Sequence, residues 1–412
     1  MRVRMASFSG LAVALVLILA GASPAGAQQV VKFGEGQTLT ISGFVSATMF
    51  SDRGLFGGFG QGQNAEFAAS PANQPASDKT FTDGDVRNTR INFTFSSTPV
   101  LGKWAPKATL EADFFGTFNG AAPFGDEQPQ LRGRFAFVDL SNGRTTLRIG
   151  QFWSPMFGEV PVSLTHLAFP LGYGATGMVG WRFPGVFLYH DLTPGKPLTV
   201  QVQVAVLKGS GLAASATDVT NGIGSGEASG KPQFETRFNF AKRLGKASWN
   251  GYVVYHVDNK DMNGTGVKGG DLTGWGLEAG DAVTSGKVTV HGNVYYGKNL
   301  GQQFGHITQG AGSNSAQQGR IQGWGLWAQA GYDFTPRWSF WLYYGMDQPD
   351  AAKYQQDNGV ALLRQLSHDT DGLIRFRAGR YALGLEYFRA VTRWSAGVRS
   401  ADQYALSVLY TL

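Results

Sequence analysis

From residue 38 onward the chain repeats one pattern: a run of about nine to thirteen residues with alternating apolar and polar side chains, a short turn, another such run, then a long polar loop. A period of two is the geometry of a strand, because successive side chains point to opposite faces. The clearest example is residues 131–153, LRGRFAFVDLSNGRTTLRIGQFW. It predicts two strands joined across Ser141-Asn142-Gly143-Arg144, with Phe135 and Phe137 on one face and Arg132 and Arg134 on the other. Leu147 and Ile149 then oppose Arg148. The hairpin is predicted to turn its apolar face outward and its arginines inward.

Similar runs at 38–50, 86–97, 104–117, 181–192, 198–208, 233–241, 247–257, 272–283, 287–298, 320–334, 338–347, 370–378, 381–391 and 401–412 bring the total to about sixteen strands. Short and long connections alternate strictly. A soluble sandwich has no reason to sort its loops by length, whereas a transmembrane antiparallel up-and-down β-barrel has tight periplasmic turns on one rim and long outer loops on the other. The fold class read here is therefore all-β. Trp104, Trp249, Phe334, Trp338, Tyr381 and Tyr410 all fall beside short turns, where they would form one girdle at a membrane interface. The final run places Tyr404, Leu406, Val408, Tyr410 and Leu412 on one face, and an edge so apolar needs pairing. The run 38–50 is the expected partner that closes the sheet.

Composition agrees. The chain has 58 glycines, 13% aromatic and 16% charged residues, and no cysteine, so no disulfide framework supports it. Arg2 and Arg4, the apolar run 11–20 and Ala25-Gly26-Ala27 read as a cleaved signal peptide over 1–27. Residues 28–412 are then one barrel domain, and no later stretch is long enough for a spanning helix. The formal charge of +6 includes those two arginines, and the basic residues are scattered, which argues against nucleic acid as a partner.

Following the alternation through each strand predicts a lumen set. Near the 131–153 hairpin it holds Arg90, Asn92, Glu111, Asp113, Arg132, Arg134 and Arg148; across the chain it holds Glu235, Arg237, Arg375, Arg377 and Glu386. Arg or Lys on the lipid face would cost roughly 2–4 kcal/mol near the midplane, and a wet interior removes that cost. Arginines outnumber carboxylates in both groups, so the set reads as a basic wall that attracts anions, against the plainer reading that the pairs only stiffen the barrel. The loop 154–180, SPMFGEVPVSLTHLAFPLGYGATGMVG, is too apolar to stand in water. It is expected to fold inward as a constriction, with Glu159 and His166 facing the pore; packing between subunits is the other possibility. The six histidines show no metal spacing, and neither GxSxG nor HExxH occurs, so the reading is a non-enzyme without cofactor.

LRGRFAFVDL followed by TTLRIGQFWSPMFGE, preceded by TLEADFFGT, resembles a strand pair and loop of the DcaP-like and related Gram-negative trimeric porins. The resemblance matches Glu111 and Asp113 to the acidic strand and Arg132, Arg134 and Arg148 to the basic wall. Gly150, Gln151, Trp153 and Ser154 match the approach to the constriction loop, and GLEYFRA and YALSVLYTL resemble the last two strands. Only about ten residues separate Gln28 from the first strand, without the heptads of the DcaP-like N-terminal coiled coil, and the chain ends on Leu412 where many such porins carry phenylalanine. The resemblance implies an outer-membrane homotrimer in contact with lipid, passing small hydrophilic, often anionic solutes. The alternative is a plugged or gated barrel serving as an adhesin or structural protein.

Overall fold

The computed structural model describes residues 29–34, 36–58, 62–71, 79–116, 129–209, 224–261, 271–309, 321–358 and 362–412. The expected leader, 1–27, lies outside the described residues. Sixteen antiparallel staves close into one barrel. They are Gln37–Arg53, then Thr80–Asp85 continued by Arg90–Ser96, Ala105–Asp113, Arg132–Ser141, Thr145–Trp153, Arg182–Asp191, Leu198–Leu207, Gln233–Leu244, Ala247–Asp261, Asp271–Ser285, Val288–Lys298, Gln322–Asp333, Trp338–Pro349, Arg364–Ala378, Tyr381–Trp394 and Gly397–Thr411. Thr80–Asp85 and Arg90–Ser96 count as one stave because both pair with Gln37–Arg53.

The last stave closes on the first in the register Phe44↔Thr411 to Arg53↔Asp402, and the Leu412 N–H donates to the Gly43 carbonyl at 2.9 Å. No sheet edge is left to be satisfied along this seam, which a chain crossing lipid requires. The two-residue turns at Gly286 and Gly379 need the positive φ of primed hairpin turns, and their φ angles are 60° and 58°. Val138, Ile149, Leu277 and Leu385 are each more than half exposed and form part of an apolar outer belt. Phe334, Trp338, Tyr381 and Tyr410 are exposed beside short turns.

Two expectations are corrected. Phe135 and Phe137 do not face outward: they are 4% and 7% exposed and point into the barrel. The cause is a β-bulge. Glu111 pairs with Phe135 while Ala112 pairs with Gly133, which leaves Arg134 as the extra residue. One inserted residue reverses the parity beyond it. Arg134 thus points inward together with Phe135, Phe137 and Asp139, and Val138 takes the lipid side.

The strict alternation of turn lengths also fails once. The pairing of the last two staves runs on through Val391↔Ser400 and Arg393↔Val398 to Trp394↔Gly397, so only Ser395 and Ala396 remain on a rim otherwise built of long loops. Polar residues beyond the hydrocarbon slab can extend a ladder into water, and their sequence does not signal it. On the same rim the stretch expected as a loop over 51–85 folds a small hairpin, Phe56–Gly58 with Ala65–Ala68, into the barrel. Ala351–Asn358 forms a helix in another outer loop.

Candidate functional site

The bulged hairpin places a dense arginine cluster on the inner wall. Arg132 reaches Asp113 through two bonds, Nε at 2.9 Å and Nη2 at 2.6 Å. Arg134 donates to Glu111 at 2.7 Å and to Asp113 at 2.8 Å. Arg90 stands 3.8 Å from Glu111 and donates to the Leu167 carbonyl at 2.9 Å. These five predicted residues form one cluster. Arg148 belongs to a second: its fork meets Asp139 at 2.7 and 3.0 Å, and its guanidinium lies 3.8 Å from the Phe137 ring centre and 4.0 Å from that of Phe152. The inward phenylalanines are therefore the stacking surface of an arginine, an arrangement suited to a planar delocalised cation.

The loop 154–180 crosses the interior and is pinned at each wall. Met156 N–H donates to Glu235 at 2.7 Å, and Arg237 Nη1 donates to the carbonyls of Pro155 and Phe157 at 3.0 and 3.1 Å. On the far side Gln329 bonds both the N–H and the carbonyl of Val162, at 2.7 and 2.8 Å. Glu386 accepts from the N–H groups of Leu164 and Thr165 at 3.2 and 3.1 Å. Asn88 caps the next turn through the Thr165 carbonyl and the Ala168 N–H. Burial of Phe157, Leu164, Phe169 and Leu171, none above 7% exposed, stabilises this seat by roughly 1.5–3 kcal/mol each. Trp153 stacks on Phe157 with ring centres 3.6 Å apart, and Tyr173 on Phe304 at 4.4 Å.

The remaining predicted residues lie apart from the arginine cluster. Glu159 sits in the loop within 3.9 Å of His291, and its N–H donates to the Tyr252 hydroxyl at 3.3 Å. Arg375 donates to Ser339 at 3.3 Å beneath Trp341, and Arg377 follows it on the same stave with its N–H on the Arg337 carbonyl. His166 is not pore-facing. It is 3% exposed against the Phe388 ring, and burial pushes its pKa down to about 4.

The balance of charge differs from the expectation that arginines outnumber carboxylates. Asp139, Glu278, Asp347, Asp369 and Asp371 are all buried on the inner wall and belong to the same ledger. The last three share an inner face on staves Trp338–Pro349 and Arg364–Ala378, so the far side is acidic. Alternation carried through those two staves would have found them. Arg182 was also missed, since it opens its stave directly after the loop. Its guanidinium lies 4.5 Å from the Trp181 ring centre and 4.9 Å from that of Trp153, and among the described residues neither Nε nor Nη1 has a hydrogen-bond partner.

No protein-family model matches the sequence, and no curated protein matches it. Solved structures do share its fold. The outer-membrane channel DcaP of Acinetobacter baumannii superposes with a TM-score of 0.70 at 18% identity, over 93% of this chain and 99% of that one. An anion-selective porin from Comamonas acidovorans gives 0.55 at 12% identity, over 91% and 100%. In-vitro folded OmpT, an outer membrane protein of Vibrio cholerae in a trimer form, gives 0.52 at 10% identity, over 92% and 100%. The chain has the fold of outer-membrane channels and porins.

Proposed function

We propose that this protein is a porin of the Gram-negative outer membrane, a homotrimer passing small hydrophilic solutes by passive diffusion with a preference for anions. The loop 154–180 narrows its channel. The observation that carries the anion preference is Arg182, buried between Trp153 and Trp181 and acting through its field: the arginines beside it are matched by Glu111 and Asp113, whereas Arg182 has no ion-pair partner among the described residues and two unbonded guanidinium nitrogens. A fixed cation left over at the end of a basic cluster favours an anion passing beside it. Arg90, Arg132 and Arg134, held in place by Glu111 and Asp113, form the wall that continues this field; Arg148, neutralised by Asp139, stiffens it, Arg237 holds the loop, and Arg375, Arg377 and Glu159 line the remainder. The trimer form of OmpT and the printed selectivity of the Comamonas porin support the same reading.

The test is recording in planar bilayers. Ohmic conductance appearing in steps of three, with a reversal potential across a salt gradient on the anion side, is the expected result. A folded preparation that stays silent would instead establish the plugged barrel, and a cation-side potential would remove the anion preference alone.

A further inference from the structure

The second feature of the interior is acidic and lies apart from the arginine cluster. Glu66, on the small hairpin folded in from the outer rim, is 2% exposed, and neither carboxylate oxygen has a hydrogen-bond partner among the described residues. Asp369, on stave Arg364–Ala378, is fully buried, and its Oδ1 is likewise unpartnered. The two feel each other's charge, and burial with that repulsion pushes the Glu66 carboxyl well above its usual range. Between them passes the 172–176 turn of the inward loop. Both Glu66 oxygens approach Gly174 so closely that a Cβ there would lie 3.1 and 3.3 Å from them, and φ at Gly174 is +77°. Thr176 Oγ1 stands 2.9 Å from the Tyr343 hydroxyl and 3.4 Å from Asp369 Oδ2.

Three separate segments, the outer hairpin, the inward loop and the barrel wall, thus place oxygen atoms along one short turn, Glu66 at Gly174 and Asp369 and Tyr343 at Thr176. Arg364 is the cation that acts on Glu66, but its Nε donates to the Ile307 carbonyl and its guanidinium lies over Phe67 and Trp394. Two buried carboxylates that share a single long hydroxyl contact, from Thr176 to Asp369, are unfavourable as anions unless something neutralises them. An all-oxygen set with two negative charges suits a hard divalent ion that tolerates irregular geometry and completes its shell with water.

We propose that Glu66 and Asp369, with the hydroxyls of Thr176 and Tyr343, hold a calcium-type divalent cation that ties the outer hairpin and the inward loop to the barrel wall. The site is structural and independent of which solute the channel passes.

The test uses the full-length folded protein in detergent, stripped with EDTA and titrated with calcium chloride at neutral pH while thermal unfolding is followed. Calcium is expected to raise the Tm saturably by roughly 3–6 °C. The double variant Glu66→Gln, Asp369→Asn is expected to unfold at a higher temperature than the stripped wild type and to lose the calcium response. No shift in the wild type, or an equal shift in the variant, overturns the site. A Tm that rises on acidification without any calcium response also overturns it, in favour of a proton shared by the two carboxylates. Should the variant not fold, terbium binding to the wild type decides: luminescence sensitised by the neighbouring Tyr343 and Trp394 and competed by calcium supports the site, and its absence refutes it.

Discussion

Arg237 donates to the carbonyl of Phe157 at 3.1 Å, so an arginine expected to face the pore is the anchor of the loop that crosses it. Its guanidinium also lies 3.7 Å from the Tyr252 ring centre and reaches Asn239 at 2.7 Å. The stave thereby supplies a fixed cation to loop carbonyls that have no neighbouring strand to pair with. Hydrogen bonds from a charged donor contribute about 1.5–3 kcal/mol each. Arg237→Ala should release the base of the loop and raise single-channel conductance and its noise, with little effect on barrel assembly. Unchanged conductance would mean that the far-side anchors, Gln329 and Glu386, suffice to hold the loop.

Arg182 and Arg148 should separate selectivity from stability. Arg148 is neutralised by Asp139, whereas Arg182 is not matched. Arg182→Gln is expected to move the reversal potential toward the cation side and leave the melting temperature nearly unchanged. Arg148→Ala should do the reverse, lowering stability by about 1.5–3 kcal/mol through loss of its charged hydrogen bonds to buried Asp139, which keeps Lys107 as a partner. If the two variants shift the reversal potential equally, the unmatched guanidinium is not the selective element.

The loop should loosen in mild acid. His166, on the loop rather than on a stave, has its pKa lowered by burial from 6.5 to about 4. The unfolded chain then binds more protons than the fold between those values, so this contribution to stability is full above pH 6.5, declines as the pH falls toward 4, and is flat below. Comparing the melting temperature of wild type and His166→Gln across pH 7 to 4 isolates it from the carboxylates. Parallel curves would contradict the assignment.

The bulge at Arg134 makes a test of facing possible. Val138 is 54% exposed and Phe137 7%. Val138→Arg places a charge in lipid and should cost roughly 2–4 kcal/mol, seen as loss of the folded, heat-modifiable band in electrophoresis. Without the bulge the parity would be opposite, and Val138→Arg would be tolerated.

The barrel was legible in the chain. Period-two alternation is a local property, written in neighbours such as Leu147, Arg148 and Ile149, and lipid outside with water inside enforces it on stave after stave. The closure of residues 38–50 on the last run was legible for the same reason, because Tyr404 and Leu406 needed a paired edge. The apolar character of 154–180 likewise announced that the loop must bury itself. Tertiary structure alone decided the charge pairing. A bulge is set by the register between two strands, so no pattern within 132–141 reveals that Arg134 is the extra residue or that Phe137 turns inward to stack under Arg148. Which carboxylate matches which arginine, and that Arg182, Glu66 and Asp369 have no ion-pair partner among the described residues, depends on distances across the barrel between residues up to some 300 positions apart in sequence. Hydrophobic alternation reports the solvent each residue meets; only the closed barrel fixes which charges meet each other.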